Sequence, residues 1–247
     1  MATFDESDDL RGARFVDVDL RGARFVGSDL SGVVMRGVQV DDADIDAPWL
    51  LSGGASLLVN GVDVAPYVAG ELDRRFPGRD QQRAGDPDGL RSAWAALQDA
   101  WAAALDRVAT MPEGTVDESV DGEWSFAQTL RHLVHATDMW LGRGILGIDQ
   151  PFHPLGLLDV ATAGDGTETF TSAATEPSYD EVLVARADRV AMVRDFLAGV
   201  TPEELAGERR NPHDPAERET TLSCLHVILE EEWEHLRYAV RDLDALG

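Results

Sequence analysis

The chain of 247 residues carries 46 Asp and Glu against 21 basic residues, a formal net charge of −25 at pH 7. That balance argues against nucleic-acid backbones and anionic membrane surfaces as partners, because both attract clustered cations. With 44% hydrophobic residues, one cysteine and no apolar run of about 18 residues, the composition fits a soluble, cytoplasmic globular protein without an internal disulfide.

The octapeptide DLRGARFV occupies Asp9 to Val16 and returns unchanged from Asp19 to Val26. Every fifth residue from Leu10, through Phe15, Leu20, Phe25, Leu30, Met35 and Val40 to Ile45, is large and apolar. The positions two residues earlier are nearly all small or modest in size. A period of five suits neither a helix nor a flat strand, but it suits stacked coils with separate interior ladders. The segment resembles the pentapeptide-repeat family, whose four-sided coils take four pentapeptides each. The resemblance implies a short right-handed β-solenoid of about two coils over roughly residues 6–46, needing an adjoining surface to cover its apolar edges. So short a coil imitates little of a DNA duplex. The segment has no cluster of catalytic side chains, so packing or partner contact is its expected role.

Next, LLVNGVDV (Leu57–Val64) sets Asn60-Gly61 between apolar runs, the signature of a type I′ hairpin. A short helix from about Ala65 to Phe76 follows. The expected division is a repeat-plus-hairpin segment over 1–64, a connecting helix and linker over 65–87, and a helical domain over 88–247. In that domain Leu90, Trp94, Leu97, Trp101, Leu105 and Val108 form one stripe. A second helix should begin just after Ser125, because Ser125 and Gln128 make an S-x-x-Q capping box. Residues 148–177, with Pro151, Pro154 and several glycines, read as a long loop. Further helices fit Tyr179 to Leu197 and Thr221 to Leu246. The expected fold is mainly α, a four-helix bundle with one long crossover.

The chemistry gathers in the last helix. Glu231 and His235 are four apart and project from one face, a spacing at which two side chains can share a metal. The same spacing is common on solvated helices without a ligand. Glu232 falls within the apolar stripe of Leu225, Leu229, Leu236 and Leu243, where a carboxylate must be paired, protonated or bound. On the second bundle helix His132 flanks the Phe126, Leu133, Trp140 stripe, whereas His135 should lie near the opposite face, more exposed. His226 is out of phase with His235. Geometry thus selects His132, Glu231 and His235. Cys224, on a similar side of the last helix, reads as a buried structural thiol.

WSFAQTLRHLVHATDMWL and EEEWEH resemble the second-helix and late-helix signatures of the DinB-like (DinB/YfiT) metalloprotein superfamily, over about residues 88–246. The resemblance implies a four-helix bundle with a divalent metal, in first place zinc, held by His132, Glu231 and His235. Glu231 stands where the commonest site has a histidine. The mycothiol-dependent maleylpyruvate isomerase branch shares that departure. Two histidines and one carboxylate leave coordination positions open, as in catalytic zinc sites, although nickel, iron and manganese also accept such ligands. On this reading Glu232 is a second-shell partner or proton acceptor, and His153, in the loop, is placed as a proton donor or substrate contact. Arg131 and Trp124 would touch the thiol cosubstrate. The implied function is a thiol S-transferase or isomerase-like enzyme joining a low-molecular-weight thiol such as mycothiol to a small electrophile, with homodimer pairing through helices. The alternative is a non-catalytic scaffold with a vestigial metal site, its repeat coils being the interaction surface.

Overall fold

A computed structural model describes residues 3–5, 7–51, 54–158, 177–214 and 216–247. The chain divides into two compact units, Met1–Asp44 and Ile45–Gly247. In the first unit tight turns recur every ten residues. The backbone N–H groups of Ala13, Ala23, Val33 and Ala43 donate to the carbonyls of Leu10, Leu20, Leu30 and Val40 at 3.0 to 3.2 Å. The repeated D-L-x-G explains the rhythm. Asp9, Asp19 and Asp29 accept the N–H two residues on, and Gly12, Gly22 and Gly32 supply the left-handed φ of 72 to 73°.

The expected β-solenoid does not form in this unit. Its described residues contain no strand and none is buried; Phe15 is 58% and Phe25 63% exposed. In about two coils each ladder residue has at most one stacked neighbour, too little burial to offset the ordering of the chain.

Within the second unit the hairpin and the long helices lie close to their expected residues. Strands β1 (Leu58–Val59) and β2 (Val62–Asp63) pair antiparallel around Asn60 and Gly61, whose φ angles of 51° and 82° fit a type I′ turn. Helix α1 spans Ala65–Arg75 and α2 Pro87–Val108, with Asp86 as N-cap and Pro87 in the first turn. Helix α3 runs Phe126–Thr137 behind the full Ser125–Gln128 capping box, then widens into a π-helical segment, Asp138–Ile145. Helix α4 is Tyr179–Gly199, α5 the short Pro202–Leu205, and α6 Thr221–Leu246. Among the described residues no helix is long and apolar enough to cross a membrane.

Helices α2, α3, α4 and α6 form the bundle, α2 and α3 each packing on both α4 and α6. The stripes named above fill its core: Leu90, Leu97, Leu133, Leu225, Leu236 and Leu243 are at most 2% exposed. Helix α4 departs from simple amphipathicity. Its buried face carries Arg186 and Arg189 beside Val182, Val193 and Leu197, so charge is paired inside the bundle. Between α5 and α6 the chain adds a hairpin, β3 (Glu208–Arg210) with β4 (Arg218–Thr220), which the sequence reading did not anticipate although Asn211-Pro212 is a turn signal.

Residues 146–158, the described part of the long loop, lie as a strap along α3; the remainder of that loop to residue 176 falls outside the described residues. The strap approaches so closely that a Cβ on Gly142 would stand 2.6 Å from Pro151 Cβ. Gly142→Ala would gain about 0.5–1 kcal/mol of helix propensity but lose about 1–3 kcal/mol to overpacking. We expect a net destabilisation, read as a lower urea midpoint at unchanged m-value; an unchanged or higher midpoint would show that the strap yields freely.

Candidate metal centre

The capping box fixes where α3 begins, and its register then buries His132 at 8% exposure. Helix α6, started by Thr220 accepting the Ser223 N–H at 3.0 Å, presents Glu231 and His235 to the same place. His132 Nε2 lies 3.3 Å from Glu231 Oε2, and His235 Nδ1 lies 3.5 Å from that same oxygen. One ligand atom from each of the three residues falls within 4.8 Å of the others. Ligands bound tetrahedrally to zinc at about 2.1 Å stand about 3.4 Å apart, a spacing that His132 Nε2 and Glu231 Oε2 already match.

Backbone carbonyls orient both imidazoles. Leu157 O lies 3.2 Å from His132 Nδ1, and Glu231 O 2.7 Å from His235 Nδ1. A carbonyl can only accept, so each Nδ1 carries a proton and each Nε2 keeps a lone pair for a metal. Burial pushes the Glu231 carboxyl up, but the His132 hydrogen bond and the charges of His235, His132 and His213 outweigh it and hold it below the usual carboxylate range.

Two aromatic neighbours shape the cluster. The Trp124 ring lies 4.7 Å from His132 and 6.1 Å from His235, the two histidine rings stack at 4.5 Å, and Tyr238 meets His235 edge-on. Trp124 is therefore beside the metal ligands. Arg131 is committed to the strap: its Nε donates to Leu155 O at 2.9 Å and its carbonyl accepts the Leu157 N–H. His153 also serves the strap, its N–H donating to Asp138 Oδ2 at 2.7 Å and its Nδ1 accepting the Leu155 N–H.

Glu232 stands outside the ligand cluster. It is 1% exposed and accepts from Arg186 Nη2 at 2.5 Å, while its other carboxylate oxygen has no hydrogen-bond partner among the described residues. Burial pushes this carboxyl up, and the Arg186 charge only partly pulls it back. The expected proton acceptor is thus an ion-pair partner that ties α6 to α4. Cys224 is fully buried in the apolar core, and burial pushes its thiol up to about 11, so it is no nucleophile. His226 is engaged elsewhere, bonded to Ala84 O.

His135 is half-buried, more exposed than His132 as its helical phase led one to expect, yet it is not free. The strap covers it, Phe152 stacks on its ring at 5.2 Å, and burial together with the His132 and His213 charges lowers its pKa to about 4. The sequence reading also missed Arg186, the Leu157 carbonyl and His213. His213 arrives from the β3–β4 loop, within electrostatic reach of Glu231. An acid in an apolar stripe signals that some cation such as Arg186 must exist; nothing local announces the other two.

No curated protein and no solved structure matches the chain. The profile of the pentapeptide repeats matches residues 9–45 in eight copies. The profile of the DinB superfamily matches residues 96–239, more than half of the chain, and spans the helices that carry all three ligands. The superfamily is typically metal-binding, and by this match the chain belongs to the DinB superfamily.

Proposed function

We propose that the protein is a metal-dependent thiol S-transferase or isomerase-like enzyme, its metal held by His132, Glu231 and His235. The observation that carries this reading is the convergence of two oriented imidazoles and one carboxylate, a three-ligand set that leaves coordination positions for a reactant. A divalent metal, zinc first, supplies there the electrostatic stabilisation that keeps a coordinated thiol deprotonated near neutral pH. The chain's own groups do the rest. Leu157 O and Glu231 O hold the histidine tautomers, Trp124 shields one side of the ligand rings from water, and Arg131 anchors the strap that carries Leu157. The His–Glu–His set supports a place near the mycothiol-dependent isomerase branch, so mycothiol is the thiol we name first.

A thermal-shift series on the full chain tests this. A low-molecular-weight thiol at a hundredfold excess over its Kd should add about 2.7 kcal/mol of stability, and only when zinc is present. Stabilisation without zinc, or none with it, would defeat the reading.

A second reading, a scaffold whose repeat segment binds a partner, is favoured by the exposed apolar residues of residues 7–44. Removing residues 1–44 discriminates, since it spares Asp46, which accepts from Arg237 and Arg241 of α6. Metal and thiol binding retained by that variant would keep the functional centre in the bundle.

A further inference from the structure

The π-helical segment carries a cation that makes no ion pair among the described residues. Arg143, on the π-helical segment, is exposed, and its one contact among the described residues is the Phe152 ring, 5.8 Å from its guanidinium carbon. Other arginines around the bundle are engaged: Arg186 with Glu232, Arg189 with Asp138, Arg131 with Leu155 O, and Arg237 and Arg241 with Asp46.

The β3–β4 loop brings His213 to the same place. Pro212 packs against Gly144, next to Arg143, where a Cβ would meet the proline ring at 3.7 Å. The His213 backbone N–H is pinned to Asn211 Oδ1, and its ring lies 5.4 Å from Trp140. Burial lowers the His213 pKa, and of the two charges that act on the ring, Glu231 raises it and Arg143 lowers it. His213 is therefore within electrostatic reach of both Glu231 and Arg143. Phe152, stacked on His135, and Trp140 add two half-buried aromatic faces.

We propose that Arg143 and His213 form an anion-recognition rim beside the metal centre, so that the substrate brought there bears a carboxylate-like anion on an apolar or aromatic body. Arg143 supplies the charge and a planar fork of donors, His213 a directional N–H, and Phe152 and Trp140 the flat apolar contact. The inference rests on the metal reading only for why a substrate comes to this place; the rim itself is made of protein side chains.

Benzoate and its neutral counterpart benzamide are suitable probes, titrated calorimetrically into the full chain with and without zinc, with metal content measured separately. Benzoate should bind at least tenfold more tightly than benzamide. R143Q should lower benzoate affinity about tenfold without changing metal content, R143K should restore part of it, and H213Q should show a smaller loss. Equal affinity for the two probes, no benzoate binding at all, or R143Q indistinguishable from the parent would overturn the rim. A protein that binds no zinc yet still shows Arg143-dependent benzoate binding would sink the metal-enzyme reading and leave the rim standing.

Discussion

Arg186→Met should destabilise the protein by about 3–5 kcal/mol, because it leaves the Glu232 carboxylate buried and unpaired in the middle of the bundle. Arg186 and Glu232 are 5% and 1% exposed and meet at 2.5 Å, so no water replaces the lost cation. The pair itself contributes far less than its rupture costs, since both charges lost their hydration to reach the core. The double variant Arg186→Met with Glu232→Met should therefore recover most of the loss, and by the same reasoning could exceed the parent by about 1–4 kcal/mol. Urea midpoints at constant m-value measure both. Equal losses in the single and double variants would mean that packing against Trp101, whose ring lies 5.9 Å from the Arg186 guanidinium carbon, matters more than charge.

The second large effect concerns the metal. His132→Ala and His235→Ala should each weaken zinc by more than the 10–100-fold expected from losing a supporting contact, since each removes a ligand outright. Zinc content after dialysis against a weak chelator, with competition titration for affinity, reads this directly. His226→Ala should leave zinc unchanged, because that ring is bonded to Ala84 O, away from the cluster. Parent-like zinc content in both ligand variants would remove the cluster from consideration. The expected order also separates the two orienting carbonyls from the ligands. Both are backbone groups that no side-chain substitution deletes; that of Leu157 is probed by moving the strap, as Gly142→Ala does.

Much of the bundle was legible in local chemistry. Ser125 with Gln128 and Ser178 with Glu181 close complete capping boxes, so the starts of α3 and α4 follow from side chains three residues apart. The hairpin at Asn60-Gly61 follows from two residues that tolerate positive φ. The metal ligands were legible for a related reason: helical phase is a local property, and it places Glu231 beside His235 and turns His132 toward the bundle seam. The repeat segment is the counter-example. Its turns were written in Asp and Gly, but closure of a coil depends on stacked neighbours, and too few repeats are present to provide them.

What the sequence by itself determined is thus whatever depends on residues within a turn or two of each other: helix starts, the hairpin, the stripes and the spacing of the ligands. What only the tertiary structure decided depends on groups brought together from far along the chain. Glu232 sits in an apolar stripe by its phase alone, yet its role was fixed by Arg186, 46 residues away on another helix. His135 was placed outward by the same phase, yet a strap with no periodicity of its own covers it. Leu157 orients His132 through a carbonyl, a group every residue possesses and no sequence pattern distinguishes. Buried charges and backbone acceptors find their partners across space, and the pairing that satisfies them is set by the packed helices.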